Sequence, residues 1–191
     1  YSSKNNHGFS LSKKIYTMQG KEIDLAHIRQ NERLVVVIEG EIQSNHVRNP
    51  LISDWIPAGF ELENPVINGI DATSGLKWLG DQIPTDHVAY RNDRYEAALR
   101  YESDKSAHFK VAYVVRAVSM GSFTLPPTKI EDMYQPRFRA LSTFLPYQIT
   151  IEDAQSVAVP PPTSSLSNEK DTSVPGKLGE KEYQEAHSCL L

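Results

Sequence analysis

The feature that most constrains this chain is the run from Ala107 to Val118, where the side chains keep a period of two over its whole length. Phe109, Val111, Tyr113, Val115 and Ala117 lie on one face of an extended segment. Lys110, Ala112, Val114, Arg116 and Val118 lie on the other, so that face is only partly wet. Leu34-Val35-Val36-Val37-Ile38 is a β-branched run of the kind expected in a strand buried on both faces. Further strands are predicted over Phe9–Met18, Pro50–Ile56, His87–Tyr90, Arg94–Tyr101, Ser122–Leu125 and Tyr147–Glu152.

The punctuation agrees with an all-β chain. Asn92-Asp93 separates two short strands by two residues that tolerate positive φ, which signals a hairpin. Met120-Gly121 is read as a second hairpin turn, and Ile56-Pro57-Ala58-Gly59 as a type I turn. The single helical hint is Asp24 to Ile28, where Asp24 can cap one turn. Many short strands with such turns predict an antiparallel β-sandwich over residues 1–153. From Ala154 to Leu191 the only aromatic is Tyr183, and Pro160-Pro161-Pro162 leads into a Thr/Ser/Asn stretch. Residues 154–191 are therefore expected to form a disordered tail, because they bury too little apolar surface to offset their ordering entropy.

Composition narrows the function. The net charge is −4, unsuited to a protein whose main task is neutralising nucleic-acid phosphate. No window approaches eighteen uninterrupted apolar residues. Cys189 is the only cysteine, which excludes an internal disulfide and a multi-cysteine metal cluster. It sits third from the end, where prenylation wants the fourth. The chain opens on Tyr1 with no charged-then-apolar leader and reads as a piece of something longer.

Chemistry is scarce. There is no Gly-x-Ser-x-Gly elbow, and the six histidines have no metal-binding spacing. Asp86-His87 fails as an acid–base pair because adjacent strand residues face opposite ways. Asp71 to Gly75 lacks the alternating oxygen ligands of a calcium loop. No catalytic residue, metal or cofactor is assigned. Glu61 and Glu63 share a face if extended, the geometry of a cation or arginine partner or else of a solvated edge; Arg91 and Arg94 could pair with those acids or across their own turn.

Two segments stand out. One runs from Asp54 through Pro57, Gly59 and Phe60 to Pro65. The other, Ser119 to Gln135, feeds Pro126-Pro127 into Ile130-Glu131-Asp132-Met133-Tyr134-Gln135-Pro136, and its prolines fix the path of a loop. Met133 and Tyr134 there either form a contact surface or plug the end of the sandwich core; spacing alone leaves both open.

The same segments carry a family resemblance. Trp55-Ile-Pro-Ala-Gly-Phe-Glu-Leu-Glu-Asn-Pro65 (with Pro57, Gly59, Phe60 and Asn64) resembles the C-terminal domain of bacterial α2-macroglobulins. So do Val88 to Arg94 (with Arg91, Asp93 and Arg94), Tyr113 to Val118 (with Arg116) and Gly121 to Pro127 (with Gly121 and Pro126). Glu131-Asp-Met-Tyr134, Pro136 and the opening around Leu25, Arg29 to Asn31 and Arg33 to Val37 complete a match over about residues 9–153. The tail lies outside it.

The resemblance implies a macroglobulin-type, Ig-like β-sandwich within a large protease-trapping chain. It also implies a non-catalytic role, since the Cys-x-Glu-Gln thioester motif is absent here and belongs to a separate helical domain. The loop Glu131, Asp132, Met133, Tyr134 is then the contact with that thioester domain, shielding an activated acyl bond from water. Partners would be other domains of the parent chain and, through the parent, target proteases. The location would be periplasmic, with the parent anchored by an N-terminal lipid in some members. The rival class is a free-standing adhesion or ligand-binding sandwich, since this architecture hosts many functions; a hydrolase ranks behind both.

Overall fold

The computed structural model describes residues 6–63, 73, 75–102, 108–142 and 148–154. Asn64 and the tail beyond Ala154 lie outside the described residues, as does most of the Asp71 to Gly75 turn. Among the described residues the chain is all-β apart from a 3-10 turn at Lys77–Leu79. Its strands are β1 (Phe9–Thr17), β2 (Ile28–Arg29), β3 (Arg33–Ile42), β4 (Pro50–Trp55), β5 (Phe60–Leu62) and β6 (Thr85–Tyr90). They continue as β7 (Arg94–Leu99), β8 (His108–Ala117), β9 (Gly121–Thr124), β10 (Thr128–Asp132), β11 (Arg139–Leu141) and β12 (Gln148–Glu152).

One sheet has the order β1-β3-β8-β5, and a second has the order β11-β10-β4-β7-β6. A small third sheet, β2-β12-β9, completes the fold. Among the described residues the antiparallel reading holds with one exception: β2 and β12 pair in parallel, Ile28 opposite Ile151.

Periodicity explains the layers. Leu34, Val36 and Ile38 of β3 join Phe109, Val111, Tyr113 and Val115 of β8 in the main core, with Ile52, Tyr95, Ala97 and Ile130 contributed by the second sheet. The opposite side of β3 is buried as well, as its sequence predicts. There Val35 and Val37 pack with Ala112 and Leu79, and Tyr16, Met18, Leu76 and Trp78 close over them. The Trp78 indole N–H donates to the Met18 carbonyl at 3.0 Å, which ties the 3-10 segment down onto the sheet.

Between the two large sheets lies a polar hub. The Asp54 carboxylate of β4 accepts from Lys13 Nζ of β1 at 2.8 Å and from Thr128 Oγ1 of β10 at 2.8 Å through one oxygen. The Tyr113 hydroxyl of β8 donates to its other oxygen at 2.5 Å. All four residues are buried, and the Tyr113 ring stacks on Tyr95 at 4.4 Å. Burial, reinforced by the Asp54 charge and the hydrogen bond to it, pushes the Tyr113 phenol well above its ordinary pKa, so it stays a donor. Every group of the hub is satisfied, as a buried charge requires.

Several turns differ from the sequence reading. Asn92-Asp93 does join a hairpin, with Arg91 N–H donating to Arg94 O at 3.0 Å, but without positive φ; among the described residues Asn31 is the only non-glycine there. Met120-Gly121 is not a hairpin turn, because β9 pairs with β12 and not with β8; the chain crosses here to the third sheet. The turn after β4 is displaced by one residue, with Phe60 N–H donating to Pro57 O at 2.9 Å. Asp24 caps a non-helical turn, its carboxylate accepting from Ala26 N–H at 2.9 Å, and Ile28 then enters β2.

Candidate functional site

The proline-bounded segment is not one continuous loop. Its middle is β10, paired with β4 on one side and β11 on the other. Only Ile130 of its three inward residues is apolar; Thr128 and Asp132 are buried through polar partners. Asp132 is the decisive one. Its Oδ2 accepts from the backbone N–H groups of Arg48 at 2.7 Å and Asn49 at 3.0 Å. Its Oδ1 accepts from those of Tyr134 and Gln135, both at 2.9 Å. One carboxylate thus clamps the segment before β4 to the segment after β10.

The clamp is reinforced by Met133 N–H donating to Asn49 O at 3.0 Å and Gln135 Nε2 donating to His46 O at 3.2 Å. Pro136 occupies the second position of a turn closed by Phe138 N–H on Gln135 O at 2.9 Å, where its fixed φ fits. Within this frame Met133 is 44% exposed and Tyr134 78% exposed. Neither plugs the core. The plug is Phe138, 5% exposed, stacked on His7 at 5.2 Å with the Arg137 guanidinium 4.9 Å from its ring centre.

The four loop residues therefore separate by role. Glu131 is half-buried and paired with Lys129 at 2.7 Å. Asp132 is an internal anchor. Met133 and Tyr134 are the presented pair. The sequence reading missed Phe138 and the anchoring function of Asp132. Aspartate followed two and three residues later by backbone donors was the available signal.

The other motif residues are structural supports. Pro57 and Phe60 are buried, and Gly59 lies so close to Phe123 that a Cβ would come within 2.4 Å of its ring. Pro126 follows the buried Leu125 into β10, and Gly121 starts β9 with φ +133°. Arg91 and Arg94 bind Glu96, each at 3.0 Å, and Arg94 also lies 3.4 Å from Asp93; neither reaches Glu61 or Glu63. Glu63 does have arginine partners, but they are Arg33 at 2.6 Å and Arg116 at 2.7 Å. These two arginines face each other across β3 and β8, so Glu63 relieves their repulsion. Asp86 sits at a β-bulge and pairs with Arg100 at 2.6 Å.

Two carboxyls titrate unusually. Burial raises both, but the four backbone donors bring Asp132 below its ordinary pKa, and the hydrogen bonds and charges of Arg33 and Arg116 do the same for Glu63. A carboxyl depressed in the folded state adds stability that is present above its unfolded pKa and lost as pH falls through the folded one. The urea midpoint should therefore fall as pH drops below about 4. Asp132→Asn should be less stable at pH 7 by about 1–3 kcal/mol and lose less on acidification. Parallel acid titrations of the two proteins would refute the assignment.

Among the described residues no three His, Cys, Asp or Glu side chains gather to hold a metal, and no helix is long and apolar enough to cross a membrane. The sandwich, its motif supports and the clamped rim loop define a macroglobulin-type domain. Residues 8–137 match the family described as the Bacterial Alpha-2-macroglobulin MG10 domain, and the chain belongs to that family. It is 30% identical over 147 residues to the alpha-2-macroglobulin of Xylella fastidiosa strain Temecula1, covering 71% of this chain and 8% of that protein. It is 28% identical over 145 residues to the alpha-2-macroglobulin of Escherichia coli K12, with the same coverages. The chain thus spans about 8% of these relatives' length.

Solved structures agree. Native Escherichia coli alpha-2-macroglobulin, from domain MG7 to the C-terminus, matches with a TM-score of 0.67 at 26% identity, covering 77% of this chain and 24% of that one. Salmonella alpha-2-macroglobulin reacted with methylamine matches with a TM-score of 0.64 at 25% identity, covering 76% and 9%.

Proposed function

We propose that this chain is the non-catalytic docking domain of a periplasmic, protease-trapping macroglobulin, and that Met133 and Tyr134 pack on the thioester domain of the parent and keep water from its bond. The observation that carries the reading is the exposure of these two large side chains on a segment held rigid by Asp132. A flexible methionine and a flat amphipathic tyrosine suit the sealing of an irregular surface. Such a seal opens once the trap is sprung, so a modest contact serves better than an obligate one. Asp132 positions the pair and does not touch the partner. Proteases are met by the parent, not by this domain.

Replacing Met133 and Tyr134 together by alanine tests the reading. In the full-length parent, methylamine should reach the thioester without protease about tenfold faster or more, the gain expected from losing about 1.4 kcal/mol of protection. In the 191-residue chain the same change should alter stability by no more than about 0.5 kcal/mol, as for other exposed positions. Unchanged methylamine uptake in the parent would defeat the proposal.

A further inference from the structure

The surroundings of the presented pair oppose the charge of the chain as a whole. The net charge is −4, yet residues 45–49 and 129–139, which form the clamp and its strands, contain Arg48, Lys129, Arg137 and Arg139 against Glu131 and Asp132. The local balance is four cations to two anions. Both anions are already engaged: Glu131 holds Lys129, and Asp132 faces inward onto four backbone donors.

The three arginines are exposed, and among the described residues none of them forms an ion pair with a carboxylate. All three lie on the clamp segments or the strand next to them, and two are held by neighbours. Arg48 spans its own loop through the carbonyls of Asn45 at 2.7 Å and Val47 at 3.2 Å. Arg137 donates to Gln135 Oε1 at 3.0 Å and lies over Phe138. Arg139 stands opposite Glu131 in the β10–β11 ladder. Guanidinium groups held by neighbours lose less entropy when they bind a carboxylate than free side chains do.

We infer that the surface receiving Met133 and Tyr134 is an apolar recess rimmed by aspartate and glutamate, and that Arg48, Arg137 and Arg139 engage this rim. The inference rests on the docking reading above and commits to the thioester domain as occupant. Arginine forks select planar carboxylates, so the apolar pair supplies the seal and the basic ring sets its orientation. Contacts of this kind at a rim depend on ionic strength, whereas the apolar contact at the centre does not.

A photo-crosslinking residue, p-benzoylphenylalanine, placed at position 134 of the full-length native parent tests this. The crosslinked peptide should come from the thioester domain and carry an excess of acidic residues. Crosslink yield should fall about threefold or more between about 0.1 M and about 1 M salt, as the screening length shrinks from about 10 to about 3 Å. A similar fall is expected for Arg48→Glu/Arg137→Glu/Arg139→Glu and, as a milder control for folding, for Arg137→Gln/Arg139→Gln. A crosslink to the thioester domain whose yield ignores both salt and charge reversal would overturn the acidic rim and leave the docking role standing. A crosslink to a neutral or basic surface would overturn it equally. A crosslink to some other domain, or none at all, would remove the docking role and this inference together.

Discussion

Asp54→Ala should destabilise the chain by about 3–5 kcal/mol, the loss typical of breaking a buried ion pair by removing one partner. The Lys13 side chain is 1% exposed, so its charge would be left in the core without a counterion. The hydroxyls of Tyr113 and Thr128 would lose their acceptor at the same moment. The melting temperature should drop by on the order of 10 °C. Asp54→Asn should act in the same direction, because shape is kept while charge is lost. Removing three of the four hub residues at once, with Lys13→Met, Asp54→Leu and Tyr113→Phe, should recover much of the loss even though the Thr128 hydroxyl stays without its acceptor, since a well-packed apolar replacement has no charge to desolvate. Urea titrations of the single and triple variants decide the matter. A single-variant loss below about 1 kcal/mol would mean that water reaches the hub.

Gly40→Ala should be comparably severe, by about 3 kcal/mol or more, at the upper end of overpacking changes. Gly40 lies inside β3 opposite Leu11 of β1. A Cβ built there would come within 2.0 Å of the Ser10 carbonyl oxygen and 2.8 Å of the Phe109 ring. The first obstacle is backbone and cannot rotate away, so β1 itself must shift, and β1 also brings Lys13 to the hub. Gly59→Ala is the informative comparison. Its obstacles, the Phe123 ring at 2.4 Å and the Ile151 Cδ1 at 2.7 Å, are side chains that can give. Denaturation should rank Gly40→Ala as the worse of the two; the reverse order would mean that β1 yields more easily than the Phe123 ring.

What was legible in the sequence follows from which forces have a local signature. The alternation in β8 and the run in β3 are written along the chain, because burial of neighbouring apolar residues alone decides them. β10 went unread because two of its three inward residues are Thr128 and Asp132, and their burial depends on Asp54 and on backbone amides more than 80 positions away. Lys13 beside Lys14 looks like an ordinary wet pair until β4 brings Asp54 against it. β5 and β11, at three residues each, are too short for a period to register. At the rim, the prolines marked a fixed path and the family likeness pointed to Met133 and Tyr134. Their exposure is decided by Asp132, an acid that the pattern did not distinguish from Glu131. The sequence left Glu63 between an arginine partner and a solvated edge, and the pairing with Arg33 and Arg116 instead of Arg91 and Arg94 belongs to the ladder.

The parallel pairing of β2 with β12 also governs the order in which the molecule can assemble. Ile28 meets Ile151, Gln30 N–H donates to Glu152 O, and Thr150 N–H donates to Leu25 O. These contacts join positions more than 120 residues apart, so the entropy of closing that span must be met before any of them forms. A ribosome synthesising the chain can deliver the β1-β3-β8 sheet and the Asp54 hub first. Ile28, fully buried at the end, waits uncovered until residue 152 has emerged. Folding of this domain should therefore be slow and finish late, with its last small sheet acting as the latch on a sandwich already formed.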